Sequence, residues 1–219
     1  MRILTYDVRG HGKSVVSPVS VSIELLAADF LSLLDVLDVE RVDFAGVSLG
    51  GIVGQWLGVR APERIDRLVL ANTAAKLGAL DMWNARMAMV AEKGLAPIVE
   101  GAISRWFTAE FCAREPAVAD AFHRILLETP ASGYIAACRA IRDADLRRLA
   151  REIAVPTLVV TGESDAVTTV DDATWLAESI PNASMVTLPA AHLANVEAAS
   201  EFNDAISQFL SRSEAKRGR

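Results

Sequence analysis

The stretch from Val42 to Gly51 (VDFAGVSLGG) limits what this chain can fold into more than any other. The short apolar run of Val42, Phe44 and Ala45 reads as a buried strand, and Ile52 to Val59 reads as a helix. Between them lies a serine with a glycine two positions away on each side, Gly46-Val47-Ser48-Leu49-Gly50. With a strand before and a helix after, this otherwise common pattern is that of the nucleophile elbow, G-x-S-x-G. The turn is sharp enough to strain Ser48, and side chains at positions 46 and 50 are expected to collide with the neighbouring strand and helix. The Ser48 hydroxyl then sits at the positive end of a helix, and the Leu49 backbone N–H is the expected oxyanion donor.

A serine hydroxyl is a poor nucleophile until a base takes its proton and a third group orients that base. The chain has three histidines. His123 lies among Phe122, Ile125 and Leu126 in a helical stretch, which suits packing. His11 lies in a Gly-punctuated turn and precedes the serine. His192 follows the last strand directly, in a loop of small residues from Pro189 to Asn195, and is the expected base. The acid belongs after the penultimate strand, where Thr161-Gly162-Glu163-Ser164-Asp165 bends; Asp165 is the choice. Its blander reading is an Asx-type turn. Glu163 is too close to the strand end, and Asp171 reads as a helix cap. The order is Ser, Asp, His, each after a strand.

Around these loops the pattern is regular. Arg2–Tyr6 reads as a strand, and Ser22 as the N-cap of a helix that places Leu26, Phe30, Leu33, Leu34 and Leu37 on one face, with Glu24 in its first turn. Strands are expected at 65–72, 156–161 and 184–188, and helices near 171–180 and 198–210. Residues 73–151 carry no convincing strand. They hold helical blocks at 82–92, 95–106, 116–128 and 134–141, broken at Gly94, Pro116, Pro130 and Gly133, as in a helical lid. The alternation implies an α/β fold, a mostly parallel sheet with helices on both faces. The expected division is a first part of the core at 1–74, the lid at 75–151, a second part of the core at 152–212 and a disordered tail at 213–219.

Composition sets outer bounds. At 219 residues and 52% hydrophobic, with a mean hydropathy of +0.28, the chain can build a substantial core. Its net charge of −6 and pI of about 5.1 argue against a nucleic-acid partner, and an anionic ligand would have to be held by local donors. No apolar run has the length of a membrane helix, and the first residues lack a signal-peptide pattern. Cys112 and Cys138 are too few for a disulfide framework and fit reduced thiols in a cytoplasmic protein.

Several strings taken together resemble the α/β-hydrolases, and more narrowly the 3-oxoadipate enol-lactonases. They are YDVRGHGKS (6–14), GVSLGGIVGQWLG (46–58), APER (61–64), LVLANTAAK (68–76), WNAR (83–86), RWFT (105–108), AIRDADL (140–146), Asp165 and AAHLANVE (190–197). The resemblance implies a serine hydrolase that cleaves 3-oxoadipate enol-lactone to 3-oxoadipate in bacterial breakdown of protocatechuate and catechol. It implies Ser48, Asp165 and His192 as catalytic residues, with no metal and no organic cofactor. The small-molecule lactone carries a carboxylate, which Arg105 or Arg142 would hold, with Trp106 packing on the ring.

One departure accompanies this. Ser48 is preceded by 47 residues, where members of the family have roughly twice as many, holding three further strands and a His-Gly loop that supplies a second oxyanion N–H. The expectation is a start that lies upstream or a truncated chain. Such a chain would be weakly active and would self-associate into a homo-oligomer through an open strand edge, unless the first strand slides against the elbow strand. Other serine hydrolases of the fold (an esterase, a carbon–carbon bond hydrolase, a cofactor-free haloperoxidase) are alternatives, as is an inactive fragment. Serine rather than aspartate at position 48 disfavours dehalogenases and epoxide hydrolases.

Overall fold

A computed structural model describes residues 2–16 and 20–211; the expected tail at 213–219 lies outside them. The first helix, α1 (Ile23–Val36), starts where its cap chemistry says. The Ser22 side chain accepts the Leu25 N–H at 3.3 Å, and Ile23, Leu26, Ala27, Phe30 and Leu34 form the buried face. Leu37, read as part of that face, is instead the C-cap residue and is exposed.

The core then runs β1 (Val42–Val47), α2 (Leu49–Arg60) and β2 (Ile65–Ala71). Five helices follow: α3 (Leu80–Lys93), α4 (Ala96–Trp106), α5 (Ala109–Arg114), α6 (Pro116–Glu128) and α7 (Ala131–Asp143). β3 (Thr157–Gly162), α8 (Val170–Ser179), β4 (Ala183–Leu188), the single turn α9 (Ala194–Glu197) and α10 (Ala199–Ser211) complete it. The four strands form one parallel sheet in the order β1-β2-β3-β4. Each connection must therefore cross from one end of the sheet to the other, and the intervening helices do so.

Alternation along the strands sorts the core into two layers. Leu68, Leu70 and Val159 pack with α1, α2 and α8 on one face. Their neighbours Val69, Ala71, Leu158 and Val160 point the other way, against α9 and α10. A third cluster, Val90, Leu95, Val99, Ala102 and Leu126, lies within α3–α6, and Tyr134 and Ile135 of α7 join it to the main core.

Three expectations change. The stretch Arg2–Tyr6 forms no strand: among the described residues it pairs with no strand of the sheet, the outer edge of β1 included. Ile3 is 78% exposed, and the segment is held through side chains instead. Tyr6 stacks on Phe30, and the Arg9 guanidinium grips Asp29 at 2.8 and 2.5 Å. Gly133 does not break a helix but sits inside α7, where an added Cβ would lie 2.0 Å from the Gly10 carbonyl oxygen. Asp171 is no cap; Thr169 and Asp172 share a reciprocal capping box at the start of α8.

Among the described residues no backbone N–H from Arg2 to Asp7 finds an acceptor, whereas β2 is laddered on both sides. In hydrogen exchange read by mass spectrometry, amides 3–6 should exchange at least about 10³-fold faster than those of Leu68–Ala71. Equal protection of the two segments would mean that residues 2–6 are paired after all.

Candidate active site

The elbow is built by a close approach of backbone to backbone. A Cβ on Gly46 would lie 2.2 Å from the carbonyl carbon and oxygen of Gly50, so only glycine lets the end of β1 fold under the start of α2. Position 50 itself faces open space, contrary to the expected collision there. The second tight position is Gly51, whose added Cβ would lie 2.5 Å from the Thr73 methyl. Ser48 takes the strain, with φ 53° and ψ −112°. It is held there from both sides: its N–H donates to the Ala71 carbonyl at 2.9 Å, and its own carbonyl accepts from Thr73 Oγ1 at 2.8 Å and from the Ile52 N–H at 3.1 Å. Ser48 occupies the N-cap position of α2, yet its hydroxyl caps nothing.

That hydroxyl is directed at His192, with Ser48 Oγ and His192 Nε2 3.0 Å apart. On the far side of the ring, Nδ1 lies 2.9 Å from Asp165 Oδ2. An ionised carboxylate can only accept, so Nδ1 carries the proton and Nε2 is left as the acceptor for the serine. Side-chain exposure is 4% for His192 and 0% for Asp165. The carboxylate is otherwise satisfied. Oδ1 accepts from the N–H groups of Val167 (2.8 Å) and Thr168 (3.0 Å), and Oδ2 from Asn72 Nδ2 (3.0 Å) and Thr168 Oγ1 (2.7 Å). Burial works to raise the Asp165 pKa, but the His192 imidazole and the Asn72 and Thr168 donors outweigh it and hold it down at about 2. Leu49 is the first residue of α2, so its N–H is one of the first-turn donors that the helix cannot satisfy.

The residues expected at the substrate side separate. Arg142 is engaged: it bonds both oxygens of Asp143 at 2.7 and 3.0 Å and Asn84 Oδ1 at 2.8 Å. Arg105 is half-buried, and burial followed by the neighbouring Arg86 charge lowers its pKa, with Tyr134 pulling the other way. Trp106 ends α4, packs edge-on to Phe122 and accepts the Leu193 N–H on its carbonyl at 2.9 Å, one residue from the imidazole. His11 reaches only the Arg9 carbonyl, at 3.4 Å, and His123 pairs with Glu100 at 3.0 Å. Sequence reasoning missed Asn72, Thr168 and Thr73. Asn72 sits at φ 44°, a conformation that asparagine tolerates better than most residues, and that was the available signal.

A serine, an imidazole and a buried carboxylate in one hydrogen-bonded line beyond the ends of β1, β4 and β3 define a class, and the comparisons agree with it. Residues 1–199 match the family model described as alpha/beta hydrolase fold, and the chain belongs to that family. Within it, the chain is similar to 3-oxoadipate enol-lactonases 2 and 1 of Acinetobacter baylyi. The first is 39% identical over 96% of this chain and 79% of the relative, and the second 37% over 95% and 78%. The crystal structure of the enol-lactonase from Burkholderia xenovorans superposes with a TM-score of 0.92 at 38% identity, over 94% of this chain and 79% of that one. Among the described residues no helix is long and apolar enough to cross a membrane.

Two tests follow from this geometry. Gly51→Ala should cost about 1–3 kcal/mol in urea unfolding, whereas Gly50→Ala should be neutral or slightly stabilising. The depressed Asp165 pKa contributes stability that is complete above the unfolded pKa near 4 and is lost as pH falls toward about 2. Asp165→Asn should therefore flatten the stability curve between about pH 4 and 2 and lower kcat by about 10⁴ at neutral pH. An unchanged kcat would remove Asp165 from the site.

Proposed function

We propose that this chain is a serine hydrolase that opens the ring of 3-oxoadipate enol-lactone to give 3-oxoadipate. The observation that supports this most strongly is the unbroken path from Ser48 Oγ through His192 to Asp165, in a chain so similar to two enol-lactonases. In this reading Ser48 attacks the lactone carbonyl while His192 Nε2 takes its proton. The oxyanion of the tetrahedral intermediate lies against the Leu49 N–H. Collapse breaks the ring C–O bond, and the enol oxygen leaves but stays tethered as part of the acyl chain. An enol is acidic, so protonation by His192 matters less here than it would for an amide. His192 then activates a water, which attacks the acyl-enzyme; Ser48 regains its proton and the enol tautomerises to the ketone. The sum is lactone plus water to keto-diacid, with no cofactor entering. With its free thiols, the chain reads as a cytoplasmic enzyme.

The substrate's free carboxylate requires a cation, and Arg105 is assigned to it, with Arg86 beside it and Trp106 along the ring. Arg142 is set aside because Asp143 already occupies it. Helices α3–α7 are assigned as the lid that carries this grip and shields the site from bulk solvent.

The test uses the purified chain with 3-oxoadipate enol-lactone and with p-nitrophenyl acetate, which has no carboxylate. Ser48→Ala should abolish turnover of both. Arg105→Gln should raise KM for the lactone about 10- to 100-fold, from the loss of a charged hydrogen bond, and affect the acetate much less. Turnover of the acetate or of a diketone, but not of the lactone, would point to another serine hydrolase of this fold.

A further inference from the structure

The peptide N–H groups on either side of His192 are tied to the same short stretch of helical segment. The Leu193 N–H donates to the Trp106 carbonyl at 2.9 Å. The Ala191 N–H donates to Glu197 Oε2, also at 2.9 Å. The Glu197 carboxylate carries the connection onward. It accepts the Thr108 N–H at 3.3 Å on both oxygens and also accepts the Thr108 hydroxyl. Thr108 in turn is the N-cap of α5, its hydroxyl oxygen accepting the Phe111 N–H at 3.1 Å. One carboxylate thus joins the turn that bears the imidazole to the junction of α4 and α5.

The chemistry of that position is restrictive. Ala190 and Ala191 are buried, so an Ala191 N–H without a protein acceptor has little water to turn to. Three donors converge on residue 197, and only an ionised carboxylate offers two oxygens with nothing but lone pairs. A glutamine of the same length must turn its NH₂ toward one of those donors. Glu197 is also well placed to set the turn: its own N–H donates to the Leu193 carbonyl at 3.0 Å, and its side chain closes a loop from Ala191 to Glu197 that contains His192. The base is therefore located by three sets of bonds. Asp165 fixes the ring, Glu197 and Trp106 fix the peptide, and Asn72 Nδ2 adds a bond to the Ala191 carbonyl at 3.2 Å.

We propose that Glu197 is a positioning residue for the hydrolysis, holding the His192 turn against the α4–α5 junction so that Nε2 stays in register with Ser48. This rests on the serine-hydrolase reading above but not on the choice of lactone. It makes the position of the general base depend on how the helical segment is seated.

The experiment compares the full chain with Glu197→Gln, Thr108→Val and the double variant. The readouts are the rate of Ser48 labelling by a fluorophosphonate, kcat and KM on 3-oxoadipate enol-lactone per titrated active site, and the thermal midpoint. Glu197→Gln should slow labelling and lower kcat by about tenfold each, the loss of one charged hydrogen bond, with KM changed less than about twofold. Thr108→Val should give a smaller loss of the same kind, and the double variant should be no slower than Glu197→Gln alone. A folded Glu197→Gln protein with full labelling rate and kcat per site, whatever its midpoint, would reduce Glu197 to a structural staple and overturn the proposal. If Glu197→Gln does not fold, Thr108→Val decides by the same readouts, an unchanged labelling rate being the contrary result. Wild-type protein that is labelled but leaves the lactone intact would remove the substrate reading, and the labelling rates would still decide this one. Wild-type protein that takes no label would overturn both.

Discussion

The active site depends on one contact, the approach of the Gly46 backbone to the Gly50 carbonyl, closer than any side chain at position 46 would permit. That approach turns the chain from strand to helix with a single residue between them, and the residue so placed, Ser48, has positive φ. Such a conformation costs on the order of 1–3 kcal/mol and persists only where the surroundings over-determine it. Here they do: β2 supplies the Ala71 carbonyl to the Ser48 N–H, and Thr73, just beyond the same strand, supplies a hydroxyl to its carbonyl. The result is a hydroxyl lifted clear of the sheet with no local backbone group to bond. It is available to the one acceptor that the next loops bring to it.

Those loops meet because the sheet is parallel and its strands are in chain order. β1, β2, β3 and β4 all end at the same rim, and delivered there in turn are Ser48, Asn72, Asp165 and His192. Asn72 lies between Ser48 and Asp165 in chain order and next to Asp165 in space. Its amide bridges the Asp165 carboxylate and the Ala191 carbonyl, fastening the loop of Asp165 to the loop of His192. With fewer donors, burial would pull the pKa of this carboxylate upward and weaken its hold on Nδ1. The donors around Asp165 keep it ionised and so keep the imidazole in the tautomer that can accept from serine.

The sequence made the convergence of Ser48, Asp165 and His192 legible because each is a local signal: a residue type at a fixed offset from the end of an apolar run. The supports were hidden because they are contacts between distant segments. Asn72 to Asp165 spans 93 residues and Thr108 to Glu197 spans 89, and neither end carries a pattern that names the other. The same reason accounts for the elements that failed. Arg2–Tyr6 has the alternation of a strand, but a strand is a property of two segments, and among the described residues this one pairs with none. Gly133 reads as a breaker until its partner Gly10 is known. Helix α5, Ala109–Arg114, is too short for periodicity to announce it.

The arginines show how a chain with net charge −6 can hold an anion on the proposed reading. Three of the partly buried arginines have an acid within reach: Arg9 with Asp29, Arg64 with Asp35, Arg142 with Asp143. Arg86 and Arg105 instead have each other, with the Trp83 ring under Arg86 and Tyr134 nearby. Two like charges drawn partly out of water raise the free energy of the empty site. On the proposed reading, an anion held by this pair relieves that repulsion and is attracted as well, which favours it over a neutral ligand of the same shape. Had an acid been placed beside Arg105, the empty site would be calmer and the selectivity would be lost. At physiological ionic strength the Debye length is about 8 Å, so the distant carboxylates are screened while a cation in contact with the ligand is not.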